Sequence, residues 1–288
     1  MKKILVTGAN GQLGSELKDI LGANNEQVLY TDVAQLDITK LDLVRAFIKE
    51  HKVTDIINCA AYTAVDKAET DQDIAYMVNC IAPKNLATVA AEENCRLIHV
   101  STDYVFSGEA CTPYVESDPT SPLGVYGRTK LAGEDAVTDS GCDAVIIRTS
   151  WLYSAYGNNF VKTMMRLGKE RDQLNVVFDQ VGTPTYAGDL AAAIVKLIQS
   201  EELADVSGLY HFSNEGVCSW YDFAQEIMDQ ENITCNVQPI LSSQYPTPVR
   251  RPSFSVLDKA KIKKDFNITI PYWKHSLVMC LRKLNSMA

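Results

Sequence analysis

Tyr126 and Lys130 stand one helical turn apart, a pairing of residue types that can move a proton. A free phenol, with a pKa of about 10, is a poor acid or base near neutrality; a nearby ammonium favours the phenolate and lowers that value. A tyrosine tuned this way can hand its proton to a carbonyl oxygen as hydride reaches the carbon. Of thirteen tyrosines in the chain, only Tyr126 has lysine four residues on. A hydroxyl beside the pair would hold the carbonyl in place. The run VSTDYVF at 100–106 offers Ser101 and Thr102 at the end of an apolar stretch. Neighbours on a strand point to opposite sides, and Thr102 is the one expected beside Tyr126.

A second group of residues binds rather than reacts. The segment 7–14 reads TGANGQLG, with Gly8, Gly11 and Gly14 at three-residue spacing. Gly8 permits a tight turn, Gly11 a close approach to a pyrophosphate, and Gly14 tight helix–sheet packing. The intervening Asn10, Gln12 and Leu13 belong to the same loop, whose N–H groups and helix dipole face an anion. Asp32 ends the next apolar run, where a carboxylate can accept hydrogen bonds from ribose hydroxyls. It would repel a 2′-phosphate, and no arginine follows within several residues, so NADH is favoured over NADPH. Asp37 and Ile38 are placed at the adenine, with a helix N-cap as the other reading of Asp37.

These residues need a scaffold, and the alternation of apolar runs with helical patterns supplies one. Strands are expected at 3–7, 27–31, 55–58, 96–101 and 144–148. Helices are expected at 13–21, across Leu41, Val44, Phe47 and Ile48, at 74–93, and from Tyr126. Later come strands at 176–178 and 209–212 and helices at 189–199 and 220–230, while 245–252 has no regular pattern. The fold class read from this is α/β, a Rossmann-type doubly wound parallel sheet with a smaller mixed C-terminal substrate lobe. Residues 1–150 form the cofactor domain, completed by part of 185–212, and 151–288 mainly the substrate lobe.

Among 288 residues the formal charge is −9, which argues against a nucleic-acid partner. No apolar run is long enough to span a membrane, and the opening residues read as a strand rather than a signal peptide. The eight cysteines lack C-x-x-C spacing and suit a reducing, cytoplasmic setting. The four histidines show no metal-ligand grouping, so no metal is assigned.

Six ordered segments resemble the extended short-chain dehydrogenases/reductases and, within them, the dTDP-4-dehydrorhamnose reductase family. They are TGANGQLG (7–14), NCAAYTAVD (58–66), VSTDYVF (100–106), PLGVYGRTKLAGE (122–134), RTSWLY (148–153) and DQVGTPT (179–185). Arg251-Pro252 followed by Leu257-Asp258 is a weaker echo. The resemblance implies NAD(P)H-dependent reduction of a nucleotide-linked 4-ketosugar, with Thr102, Tyr126 and Lys130 as catalytic trio. It implies Ala60, Ala61 and Tyr62 at the cofactor, and Thr63, Val65 and Asp66 near the substrate. Asp103 and Tyr104 would contact the sugar, and Trp151 would lie against the deoxysugar ring or pack in the core. Gln180, Gly182, Thr183 and Pro184 would border the nucleotide. Arg148 is divided between a structural ion pair and a pyrophosphate contact. Some members of the family dimerise through magnesium held by carboxylates. Glu16 matches one such position and Asp189 stands near another, but 282–288 carries no acidic residue, and magnesium is not assigned. A monomer or a homodimer is expected. The rival readings are an epimerase that retains NAD, another nucleotide-sugar reductase, and a non-catalytic regulatory subunit like that of methionine adenosyltransferase.

Overall fold

The strands of the first half are short and apolar on both faces because both faces are covered. A computed structural model describes residues 2–199 and 207–287; positions 200–206 of the expected closing segment, and the chain's last residue, lie outside the described residues. The chain opens β1 (Ile4–Thr7), α1 (Gln12–Leu21), β2 (Val28–Thr31), α2 (Leu41–His51) and β3 (Asp55–Asn58). It continues through α3 (Val65–Ala68), α4 (Gln72–Tyr76), a π-helical turn (Met77–Ile81), α5 (Ala82–Glu93) and β4 (Arg96–Thr102). Next come α6 (Val125–Asp139), β5 (Ala144–Thr149), β6 (Leu152–Tyr153), α7 (Phe160–Glu170) and β7 (Gln173–Val177). Then follow β8 (Val181–Gly182), β9 (Thr185–Tyr186), α8 (Ala187–Gln199), β10 (Gly208–His211) and β11 (Cys218–Ser219). The chain closes with α9 (Trp220–Gln230), β12 (Asn236–Ile240), α10 (Ala260–Phe266) and α11 (Trp273–Ser286).

Six parallel strands form the main sheet in the order β10-β5-β4-β3-β1-β2, a Rossmann-like arrangement. The chain leaves β1 in opposite directions toward β2 and β3, so the order switches there, and the crevice at their carboxyl ends is where ligands bind such sheets. Alternate residues of each strand feed two cores. Ile4, Val6, Ile57 and Ile98 pack on α1 and α8; Leu5, Ile56, Leu97 and Ile146 pack on α2 and α5. A third core, built from α7, α9 and α11, belongs to the later half, whose short strand pairs are separate from the main sheet.

The expected helix at 74–93 forms, but a π-helical turn interrupts its regular spacing. Pro83 has no N–H to donate to the Asn79 carbonyl four residues back, and the chain widens into the π-helical turn there. The widening turns Asn79 fully inward, where its amide donates to the Thr129 hydroxyl of α6 at 3.1 Å. The expected strand at 176–178 is shifted to β7, which pairs with the unforeseen β12; Pro239 is admitted because this is an isolated two-stranded ribbon.

Candidate active site

Gly8 carries the turn out of β1 with φ of 63°, and a side chain there would collide with the Ala60 backbone. The loop that follows delivers Gly11, Gln12 and Leu13 to the mouth of a cleft of about 580 Å³. The opposite wall comes from the ends of β4 and β5 and the start of α6, with Thr102, Asp103, Tyr104, Tyr126, Lys130 and Trp151 facing in. Thr63 and Val65 complete the near side. A neighbouring pocket of about 270 Å³ holds Asp32, Asp37, Ile38 and Ala60. Gly8, Gly11, Cys59 and Ala61 border both cavities, so one elongated ligand can run from the carboxylate end past the glycine loop to the phenol. Those features fit a dinucleotide: carboxylates for a ribose, exposed backbone at the loop, and a helix N-terminus behind it.

The dyad owes its position to Gly127. A side chain there would collide with the Tyr104 carbonyl, so glycine lets the first turn of α6 press against the 3₁₀ turn Asp103–Val105. The Thr102 hydroxyl then shares one wall of the cleft with the Tyr126 phenol. It also donates to Asp103 Oδ1 at 3.0 Å and accepts the Tyr104 N–H at 3.2 Å. Ser101 points the other way and donates to Glu134, as alternation requires. Lys130 is buried and donates from Nζ to the Val100 carbonyl at 2.7 Å.

Burial pushes the Tyr126 phenol above its ordinary pKa, with Thr102 opposing and the Asp103 charge adding to the rise. The lowering expected from Lys130 is not the dominant effect: the ammonium is turned to Val100, and desolvation wins. A phenol so placed stays protonated, the form a reduction requires of its acid. Burial also brings Lys130 down to about 8, with Glu134 opposing. Asp103, 3% exposed, is pushed up to about 6 by burial, against the hydrogen bond that Thr102 donates to its Oδ1.

Several expectations change. Tyr62 borders neither cavity: its hydroxyl donates to Asp71 at 2.8 Å, and its N–H donates to Asn79 Oδ1 at 2.8 Å. Asn10 is exposed at the loop tip, its N–H 3.4 Å from Asp32. Asp37 does not cap α2, whose N-cap is Lys40; it accepts from Thr39, which holds its carboxyl below the usual range. Thr183 and Pro184 are buried, and the Thr183 hydroxyl is spent on the Gly216 carbonyl at 2.7 Å. Gln180 donates to Ser242 at 2.9 Å, and Gly182 lies against the Trp151 indole. That segment packs the lobe instead of lining the cleft. Trp151 borders the cleft, but its ring stacks on Trp220 at 3.6 Å between centroids, leaving less of its face for a sugar. Its φ of 50° is left-handed, a strain that persists only where the surroundings over-determine it. Arg148 makes the structural ion pair, at 2.6 Å to a Glu134 as buried as itself.

Four residues enter that sequence reasoning passed over. Trp220 starts α9 and completes the aromatic wall. Asn159 borders the cleft and donates to Gln12 at 3.0 Å, tying the glycine loop to the lobe. Asn79 clamps Tyr62 through both its N–H and its carbonyl. Arg251, visible earlier only as an echo, reaches Asp66 at 2.7 Å and the Tyr104 hydroxyl at 3.3 Å.

A family model for the RmlD substrate binding domain matches residues 1–286. The chain belongs to that family. It is 43% identical to a dTDP-4-dehydrorhamnose reductase of Aggregatibacter actinomycetemcomitans, with 96% of this chain and 97% of that one covered. The crystal structure of a dTDP-4-dehydrorhamnose reductase from Clostridium acetobutylicum superposes with a TM-score of 0.93 at 45% identity, over 98% of this chain and 99% of that one. The enzyme of the same name from Bacillus anthracis, solved in complex with NADP, gives 0.93 at 40% identity, over 98% and 100%.

The carboxylates that would bridge magnesium are otherwise engaged in this member of the RmlD family. Glu16 accepts from Ser154 at 2.5 Å and from the Lys283 ammonium, which also reaches Asp19. Asp189 accepts from Asn214 at 2.7 Å and from Ser276. A cationic side chain already sits on Glu16, and no cluster among the described residues has the makeup of a metal site. No helix among the described residues is long and apolar enough to cross a membrane.

Proposed function

We propose that the chain reduces dTDP-4-dehydro-6-deoxy-L-mannose, the 4-dehydrorhamnose, to dTDP-L-rhamnose. The observation that carries the reading is the convergence of Thr102, Tyr126 and Lys130 on one wall of a cleft that opens into a dinucleotide-shaped pocket. A bound dihydronicotinamide supplies the hydride for the sugar C4. Tyr126 gives its Oη proton to the oxygen that becomes the alcohol, Thr102 holds that oxygen, and Lys130 holds a ribose hydroxyl. Val65, Thr63 and the Trp151–Trp220 stack shape the sugar end, and Arg251 places a cation beside Tyr104 for the substrate's anionic linker.

We assign residues 1–150 together with β10 to the cofactor and most of 151–288 to the substrate. Two carboxylates, Asp32 and Asp37, with no lysine or arginine among the described residues lining that pocket, support NADH over NADPH. All eight cysteines are free, which suits a cytoplasmic enzyme. Lys283 between Glu16 and Asp19 supports a monomer or homodimer that works without a metal bridge.

The test is oxidation of NADH and of NADPH in the presence of dTDP-4-dehydrorhamnose, with the sugar product identified. Turnover with formation of dTDP-L-rhamnose is expected, faster with NADH. No oxidation of either cofactor would overturn the reading in favour of the epimerase or the regulatory subunit.

A further inference from the structure

We propose that Tyr104 couples the anionic end of the substrate to the acid: Arg251 holds its hydroxyl, its ring supports Tyr126, and a diphosphate bound at Arg251 thereby steadies the phenol that gives the proton. The proposal rests on the reductase reading of the cleft and adds a positioning residue to it.

Tyr104 lines the cleft and touches three parts of the site at once. Its N–H donates to the Thr102 hydroxyl at 3.2 Å. Its ring meets the Tyr126 ring edge to face, with 5.4 Å between centroids and 75° between planes. Its hydroxyl accepts from Arg251 Nη1 at 3.3 Å, and Asp66 holds the same guanidinium through Nη2 at 2.7 Å. The partners come from separate segments: Thr102 ends β4, Tyr126 lies in the first turn of α6, Asp66 belongs to α3, and Arg251 to the stretch 245–252.

The two ends of Tyr104 are held differently. Its backbone is fixed, because the Tyr104 carbonyl presses on Gly127 and cannot move without α6. The side chain turns about two torsions, and the bond that stops its far end comes from Arg251. An edge-to-face contact depends on angle as well as distance, so a ring free to tilt lets Tyr126 tilt with it. A reacting group misplaced by about 1 Å can lose on the order of 10²-fold in rate. A diphosphate grips a guanidinium through charge-assisted bonds to several oxygens, and so holds Arg251 more firmly than Asp66 does alone. Binding energy from the part of the substrate that does not react then appears in kcat.

The experiment is kcat and KM for the wild type, Tyr104→Phe, Arg251→Ala, the double variant of these two, and Tyr104→Leu. Tyr104→Phe and Arg251→Ala should each lower kcat about threefold, and the double variant no further, because each removes the same tether. The rise in KM that Arg251→Ala brings should persist in the double variant. Tyr104→Leu removes the ring as well and should lower kcat by about tenfold or more, most of which Tyr104→Phe restores. Losses in kcat that multiply in the double variant overturn the proposal. So does a Tyr104→Phe that raises KM at wild-type kcat, which would put the hydroxyl on the sugar. The cycle with Tyr104→Phe decides the matter if Tyr104→Leu does not fold.

A second measurement needs no turnover. In protein labelled with fluorotyrosine, the Tyr126 fluorine line is the one absent from Tyr126→Phe. Adding dTDP, which carries the diphosphate but no sugar, should shift and sharpen that line in the wild type and leave it in place in Tyr104→Phe. The same response in both, or none in the wild type, overturns the proposal. Should the wild type reduce no ketosugar and still show the response, the reductase reading fails and the coupling stands.

Discussion

The two ends of the cleft are built by different means. At the cofactor end, recognition is mostly backbone: the turn at Gly8, the loop through Gly11, and strand ends held in register, Thr7 opposite Thr31 on one side and Asn58 on the other. At the sugar end it is side chains that meet across long stretches of chain. Trp151 finds Trp220, and Tyr104 and Asp66 share Arg251. A backbone site is written in neighbouring residues. A side-chain site is written in the tertiary fold. The catalytic trio stands where the two meet, on β4 and α6.

That junction should show the largest effect. Tyr126→Phe keeps the ring in its place against Tyr104 and removes only the hydroxyl. Turnover should fall by about 10²- to 10⁴-fold, while NADH affinity, measured by fluorescence titration, stays near wild type. Comparable loss at both ends of the cleft would mean that the phenol serves structure, and the comparison would break at its centre.

The same contrast explains what the sequence made legible. The glycine loop, Asp32, the five strands leading to it and the trio follow from local spacing, because a parallel sheet places residues at the ends of its strands by rule. Thr102 was separable from Ser101 by strand alternation alone. The lobe was not legible in the same way. The pattern in 179–185 suggested a nucleotide contact, yet Thr183 is buried with its hydroxyl bonded to Gly216, a partner no local pattern indicates. Trp220 read as a helix start, and its role comes from stacking on a residue far away in sequence. Asn79 was hidden inside what looked like one regular α-helix. Pro83 was the available signal, since a proline there must free the carbonyl of residue 79.

The support beneath the trio should be next in size. Glu134 and Arg148 are paired at 2.6 Å with side chains 5% and 4% exposed. Glu134→Gln leaves the guanidinium buried without a counter-charge, and should cost about 3–5 kcal/mol in chemical denaturation. Replacing both partners with apolar residues of similar volume should cost much less. Equal losses would show that the pair matters for its packing rather than its charge.

At the sugar end, Trp220→Ala and Arg251→Ala should each raise KM for the nucleotide sugar by roughly tenfold, at about 1.4 kcal/mol, with little change in cofactor affinity. Trp220 acts by fixing the Trp151 ring, and Arg251 by its charge, so added salt should narrow the gap between wild type and Arg251→Ala only. A rise in the NADH dissociation constant of the same size would join the two ends that the comparison separates.

The smallest effect belongs to Asp32, the side chain on which the cofactor end most depends. Its Oδ1 already accepts the Val33 N–H at 2.8 Å, and its Oδ2 lies 3.4 Å from the Asn10 N–H, so the carboxylate is held in place before any ribose arrives. Asp32→Ala should therefore lose one ribose hydrogen bond, weakening NADH by about 2- to 8-fold. For NADPH the change runs the other way in part, because removing the carboxylate also removes its repulsion of a 2′-phosphate. NADPH affinity should stay constant or rise, and the ratio of the two dissociation constants is the quantity to measure. An equal loss for both would place the adenosine ribose away from Asp32, and the preference for NADH would then rest on Asp37 alone.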